Sequence, residues 1–215
     1  MTFCYAIGYV VVKTAATFLF SLRVLNRDKA QIKGPVIYAM NHQSNVDPPL
    51  IGLVADRVIH WLGKRDLIKP GFVGWLMKEI NVIPVSLDKP DMSGLKNIIS
   101  LLKEGRAVAI FPEGQRAWDG QLQAALPGLG LVIAKTGAPV VPLRIWGADA
   151  VMRRGTKKIN FKPITIAVGE PLHIDAASIP GKPREAYQAI ADRVMEAIAA
   201  IELPPEEARR FEQQP

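Results

Sequence analysis

Between residues 36 and 168 the chain carries six short runs rich in β-branched and apolar residues, at 36–40, 57–63, 81–85, 107–111, 140–146 and 159–168. Helix-patterned or Gly/Pro-punctuated stretches separate them, and strands interrupted by helices pair mainly in parallel. The alternation therefore predicts an α/β domain with a mixed central β-sheet flanked by helices. Leu95, Ile98, Ile99 and Leu102 recur at helical spacing, with Gly105 as a C-terminal stop. Tyr187, Ile190, Val194, Ile198 and Ile201 line one face of a later helix closed by Pro204-Pro205. The polar EEARRFEQQP that follows is expected to fray. A length of 215 residues holds one compact domain with a small appendage, and no Gly-, Ser- or Pro-rich linker divides it.

Residues 3–22 are almost continuously apolar or small, broken only by Lys13. About 20 such residues can span a bilayer, but a lysine at the midpoint costs about 2.5–3.5 kcal/mol, so a helix lying in the interface competes with a single span. A helix packed on the globule is the plainer alternative. No charged region precedes the apolar stretch, which argues against a signal peptide. Arg23, Arg27, Lys29 and Lys33 come next and suit headgroups on the cytoplasmic face of a membrane. The expected organisation is a membrane-associating segment over 1–33, an α/β domain over 34–203 and a polar tail over 204–215.

The formal charge of +7 draws the protein to polyanions, either nucleic acid or an anionic membrane surface. The basic residues come as singles or pairs, with no zinc-finger spacing, RNP-type motif or long basic block, so nucleic acid is not expected as a partner. Cys4 is the only cysteine, which excludes an intrachain disulfide. His42, His60 and His173 show no metal-ligand spacing, and no metal is expected.

Chemistry enters where the run 36–40 gives way to Asn41-His42-Gln43-Ser44-Asn45-Val46-Asp47-Pro48-Pro49. Reactive groups in α/β proteins tend to sit where a strand ends and a loop leads into a helix. In a regular helix His42 and Asp47 would lie about 140° apart, so their pairing requires the turn that Asn, Ser, Asp and Pro supply. Asp47 would then hold one imidazole nitrogen and leave the other as a base for a substrate hydroxyl. Taken alone, this pair fits a structural loop histidine better than a catalytic one.

A second stretch, Phe111-Pro112-Glu113-Gly114-Gln115-Arg116, also ends an apolar run. Gly114 permits close backbone approach to a ligand, and Arg116 offers a planar fork suited to phosphate. Glu113 either accepts a substrate hydroxyl or fixes Arg116, and sequence does not separate the two. The bland reading is an exposed Glu–Arg pair on a surface turn.

Together the two stretches resemble the lysophosphatidic acid acyltransferase family, the PlsC type of glycerolipid acyltransferase. NHQSNVD matches its NHxSxxD block in full, and FPEGQRA its FPEGTRS block. Lys64-Arg65-Asp66-Leu67 is similar to a K-x-E-L segment, residues 81–85 to a later apolar strand, and Val140-Val141-Pro142-Leu143 to a proline-containing fourth block. The likeness runs from about Gly34 to Gly147. It implies that His42 deprotonates an acceptor hydroxyl while Asp47 orients it, and that Glu113, Gly114 and Arg116 hold the acceptor phosphate. Asn41, Ser44, Lys64 and Gln115 are further site candidates.

The implied reaction carries an acyl group from a coenzyme A or acyl carrier protein thioester to 1-acylglycerol-3-phosphate, giving phosphatidic acid, with no cofactor beyond the co-substrate. Where the family has an arginine after its second apolar strand, this chain reads Ser86-Leu87-Asp88-Lys89, leaving Lys89 to supply that contact. Gln115 and Ala117 replace a threonine and a serine. The acceptor could therefore be another lysolipid or a glycerol phosphate.

Other readings have less support. There is no G-x-S-x-G elbow for a hydrolase and no Walker loop, and Gly128-Leu129-Gly130 lacks the third glycine of a dinucleotide fingerprint. A non-catalytic protein that binds anionic membranes needs neither the His–Asp pair nor the FPEG-x-R stretch.

Overall fold

A computed structural model describes residues 3–64, 71, 75, 81–85, 92–156 and 158–212. Its seven strands form one sheet: β1 (Arg23–Leu25), β2 (Val36–Met40), β3 (Ile59–Lys64), β4 (Val82–Val85), β5 (Ala107–Ile110), β6 (Val140–Trp146) and β7 (Thr165–Val168). Across the sheet the order is β1-β7-β6-β2-β5-β3-β4, with every neighbouring pair parallel except β6 and β7. The helices are α1 (Phe3–Phe18), α2 (Asp47–Ala55), α3 (Met92–Lys103), α4 (Pro127–Thr136), α5 (Pro183–Ala199) and α6 (Pro205–Glu212), with a single turn at Ala148–Val151.

All five residues of β2 are buried, as expected for a central parallel strand covered on both faces. Val36, Tyr38 and Met40 pack into a layer with Leu50, Ile51 and Val54 of α2. The alternate residues Ile37 and Ala39 enter the opposite layer, built by α3, α4 and α5. There α4 and α5 approach so closely that a Cβ on Gly130 would fall 1.8 Å from the Tyr187 carbonyl oxygen.

Three expectations change. The run 159–168 is a strand only over Thr165–Val168, because Pro163 has no N–H for the ladder and Asn160 bonds back to Val151 and Ala150. The basic stretch after the apolar N-terminus contributes β1, which pairs with β7 at the sheet edge. Three of its four basic residues have partners within the fold: Arg23 bonds Glu207, Arg27 bonds Asp56 and the Leu53 and Val54 carbonyls, and Lys29 bonds Glu170. The polar tail, expected to fray, forms α6, anchored by the buried Glu207 to Arg23 and Thr165 and by Arg210 to the Ser21 carbonyl.

The apolar N-terminus is helical for 16 residues, about 24 Å at about 1.5 Å per residue, against about 30 Å of bilayer hydrocarbon. Among the described residues no helix is long and apolar enough to cross a membrane. One side of α1 packs on the globule through Tyr9, Val12 and Ala16, and the Tyr9 hydroxyl donates to Asp56 at 2.6 Å. The other side leaves Ile7, Val10, Val11 and Phe18 exposed.

Candidate active site

β2 and β5 lie side by side and parallel, with Ala39 opposite Ile110. Three residues beyond each, where the strands have given way to loops, His42 meets Glu113. The His42 N–H donates to Glu113 Oε2 at 2.9 Å, and its carbonyl accepts from the Ala117 N–H at 2.8 Å. The Phe111 ring stacks on the imidazole, centroids 3.9 Å apart. The second sequence stretch thus holds the histidine of the first by its backbone and by its ring face.

Asp47 is the first residue of α2 and its side chain turns back over the loop. Its Oδ2 accepts from the Gln43 and Ser44 N–H groups, each at 2.7 Å, and lies 2.8 Å from His42 Nδ1. Two amides already donate to that oxygen, so it also accepts from Nδ1–H, which leaves Nε2 as the basic nitrogen. The pairing that a regular helix forbids is made by this turn. Asp47 is wholly buried, and among the described residues its Oδ1 has no hydrogen-bond partner. Burial pushes its carboxyl above the ordinary value, while the imidazole and the two amides pull it back. The His42 side chain keeps 16% exposure, enough for the ring edge to meet a substrate.

Among the described residues Glu113 makes no ion pair with Arg116; its carboxylate is engaged by backbone amides. It is 3% exposed, and its second oxygen accepts from the Gln123 N–H at 3.1 Å. Burial raises its carboxyl above the ordinary value, against the pull of the His42 and Gln123 amides. With both oxygens on backbone amides, the carboxylate braces the His42 loop, and its charge would repel a phosphate. Gly114 has φ +69°, its N–H closes a turn to the Phe111 carbonyl, and a Cβ there would lie 2.4 Å from Leu126 Cδ1. The turn and this contact account for glycine without a ligand.

The other polar residues of the first stretch are braces too. Asn41 exchanges two hydrogen bonds with the backbone of Ile145 on β6, at 2.9 and 3.2 Å. Gln43 bridges the Gly120 carbonyl and the Ala148 N–H, and the buried Ser44 hydroxyl donates to the Met152 carbonyl at 2.8 Å. Together they tie the loop after β2 to β6 and to the loops after β5 and β6. Lys64 ends β3 on the same sheet edge. Lys89, with the rest of the 86–89 departure and residues 65–67, falls outside the described residues.

Arg116 is partly buried, and among the described residues its guanidinium has no hydrogen-bond or ion-pair partner. Desolvation, and then the positive charge of Arg154, hold it below its ordinary pKa, against a smaller pull from Asp47. Gln115 is exposed and accepts from Arg154 at 3.4 Å. Sequence reading missed Gln43, Gln123, Met152 and Arg154 as parts of the site. The Arg153-Arg154 pair was visible only as one basic pair among several. Among the described residues no group of three or more His, Cys, Asp or Glu could hold a metal ion.

The model of the family described as Acyltransferase matches residues 21–146. A 1-acyl-sn-glycerol-3-phosphate acyltransferase of Bacillus subtilis is 31% identical over 180 residues, covering 81% of this chain and 87% of its own length. The chloroplastic 1-acyl-sn-glycerol-3-phosphate acyltransferase LPAT1 of Arabidopsis thaliana is 32% identical over 148 residues, 67% of this chain. This chain spans about two fifths of the chloroplast relatives, 41% of LPAT1 and 43% of the Brassica napus protein BAT2. The crystal structure of the 1-acyl-sn-glycerophosphate (LPA) acyltransferase PlsC from Thermotoga maritima superposes with a TM-score of 0.71 at 25% identity, covering 93% of this chain and 81% of that one.

Proposed function

The chain belongs to the acyltransferase family, and on that premise we propose that it acylates the free hydroxyl of 1-acylglycerol-3-phosphate from a coenzyme A or acyl carrier protein thioester, giving phosphatidic acid. The observation that carries this reading is the His42 imidazole, bound through Nδ1 to the buried Asp47 with Nε2 left open. In the proposed step Nε2 takes the hydroxyl proton as the oxygen attacks the thioester carbonyl carbon. The tetrahedral intermediate then collapses with cleavage of the C–S bond. The thiolate leaves and recovers the proton from Nε2–H. Asp47 stabilises the imidazolium formed in between, and Arg116 binds the acceptor phosphate. The scheme calls for no metal and no organic cofactor.

A lipid acceptor also favours attachment to the cytoplasmic face of a membrane, and the apolar outer face of α1 supports an interfacial placement. Ile7, Val10, Val11 and Phe18 are exposed there beside Lys13, and Phe161, 67% exposed, stands next to Phe20. Replacing Val10 and Val11 by aspartate should weaken co-sedimentation with anionic vesicles.

The reaction itself is tested by following free thiol as purified protein consumes acyl thioester in the presence of 1-acylglycerol-3-phosphate. His42→Ala should lower the rate by about a thousandfold, within what a base and its ion-pair partner contribute. An unchanged rate would remove His42 from the chemistry. Arg116→Ala should raise the KM of the phosphate-bearing acceptor and leave that of the thioester near the parent value.

A further inference from the structure

Arg154 lies in the loop after β6, outside both stretches that suggested the chemistry, yet that loop is bound to each of them. Its Nη1 donates to the Arg116 carbonyl and its Nη2 to Gln115 Oε1. Its guanidinium lies over the Trp118 ring, 4.1 Å from the centroid. Two residues earlier, the Met152 carbonyl accepts from Ser44 and its sulfur from Asn45. The Ala117 N–H, one residue past the carbonyl that Arg154 holds, donates to His42. Arg154 is therefore fixed at the rim of the His42 site by contacts to three neighbouring residues.

A guanidinium has five N–H donors, and these contacts occupy two. The Trp118 ring covers one side of the group, and three donors are left for a ligand. Among the described residues neither Arg154 nor Arg116 pairs with a carboxylate. Glu113 is committed to the His42 and Gln123 amides, and Asp47 Oδ2 to three donors. Arg154 touches the Arg116 backbone, and the repulsion of its positive charge is felt at the Arg116 guanidinium more strongly than the pull of Asp47. An anion shared between them relieves it. If Arg154 served only to cap the loop, a neutral donor to the same carbonyl would suffice, with no second charge beside Arg116.

We propose that Arg154 binds the acceptor's phosphate monoester together with Arg116, as a two-arginine clamp that sets preference for phosphate-bearing over neutral acceptors. The inference rests on the acyl-transfer reading above. Arginine suits this role because its fork meets two phosphate oxygens at once, which the point charge of lysine does not.

The test compares 1-acylglycerol-3-phosphate with monoacylglycerol, which has a free hydroxyl and the same chain but no phosphate. In the parent protein kcat/KM should favour the phosphate-bearing acceptor. Arg154→Ala should narrow that ratio by about tenfold or more, the size of one charge-assisted hydrogen bond, mainly through the KM of the phosphate-bearing acceptor. Arg154→Lys should recover part of the loss. Equal falls on both acceptors would make Arg154 a scaffold residue and overturn the proposal, as would an unchanged ratio.

A binding arm needs no turnover. In a His42→Ala background, calorimetric titration with short-chain 1-acylglycerol-3-phosphate should show about tenfold weaker binding when Arg154→Ala is added. Unchanged affinity overturns the clamp. If the parent protein consumes thioester with neither acceptor, the acyl-transfer reading itself fails, and an unaltered binding difference would still separate the two failures.

Discussion

Replacing Asp47 by asparagine separates its electrostatic role from its part in building the loop. The amide oxygen of asparagine can occupy the Oδ2 position and still accept from Gln43, Ser44 and His42 Nδ1. The amide nitrogen then falls at Oδ1, a buried position with no partner among the described residues. An unmet donor there costs about 1–3 kcal/mol, partly offset because a neutral side chain escapes the desolvation that burdens the buried carboxylate. The fold should therefore survive with a modest loss.

The imidazolium formed during transfer loses its counter-charge. Unit charges about 4 Å apart at an effective dielectric of about 20 attract by about 4 kcal/mol, or about a thousandfold in rate at about 1.4 kcal/mol per decade. Since asparagine keeps a neutral hydrogen bond, we expect kcat to fall about 10²- to 10³-fold. The assay is steady-state thiol release, with a thermal melt beside it. Asp47→Ala should differ in kind: both amides lose their acceptor, at about 1–3 kcal/mol each, and the melt should drop steeply. If Asp47→Asn melts like the parent and retains kcat within about tenfold, the carboxylate is a loop anchor alone and the division of labour assigned to the His–Asp pair is wrong.

Glu113→Ala should destabilise by about 1–3 kcal/mol for each amide left without an acceptor and lower kcat with little change in acceptor KM. A selective rise in acceptor KM with an unaltered melt would return Glu113 to the phosphate site. Gly130→Ala should cost about 3 kcal/mol in chemical denaturation, because the added methyl meets the Tyr187 backbone and neither helix can yield without loss of core packing; a variant as stable as the parent would refute the close approach of α4 and α5.

For Glu207, burial pushes the carboxyl up, but hydrogen bonds from Arg23, Arg210 and Thr165 outweigh it and hold the group below its ordinary value. A depressed folded value means stability that is complete above the unfolded carboxylate range, about pH 4.5, and lost as pH falls through the folded value. The gap in melting temperature between the parent and Glu207→Gln should be present at pH 7 and close on acidification. A gap independent of pH would show that the carboxylate is not the group that matters.

Most strands were legible because a buried strand carries its own signature: 36–40 and 140–146 coincide with β2 and β6 in full. β1 was not, since three residues at a sheet edge have no periodicity to read, and nothing local to Arg23 points to its partner Glu207, 184 residues away. The tail was misjudged for a related reason. A short polar helix has little propensity of its own, and α6 is anchored by Glu207, a contact that composition does not encode.

At the site, sequence alone determined that His42 and Asp47 would pair, because they sit five residues apart in one turn and local residue types decide whether that turn forms. It also put Arg116 close by through a motif legible in one dimension. Only the tertiary structure decided what the other polar groups do. Glu113 became a brace to His42 across 71 residues, Asn41 a clamp on β6 across 104 and Ser44 a tie to Met152 across 108. Arg154 reached the Arg116 loop across 38. These pairings depend on which strands lie next to β2, and strand order is settled by how the whole sheet buries its two faces. No local stretch of sequence contains that information.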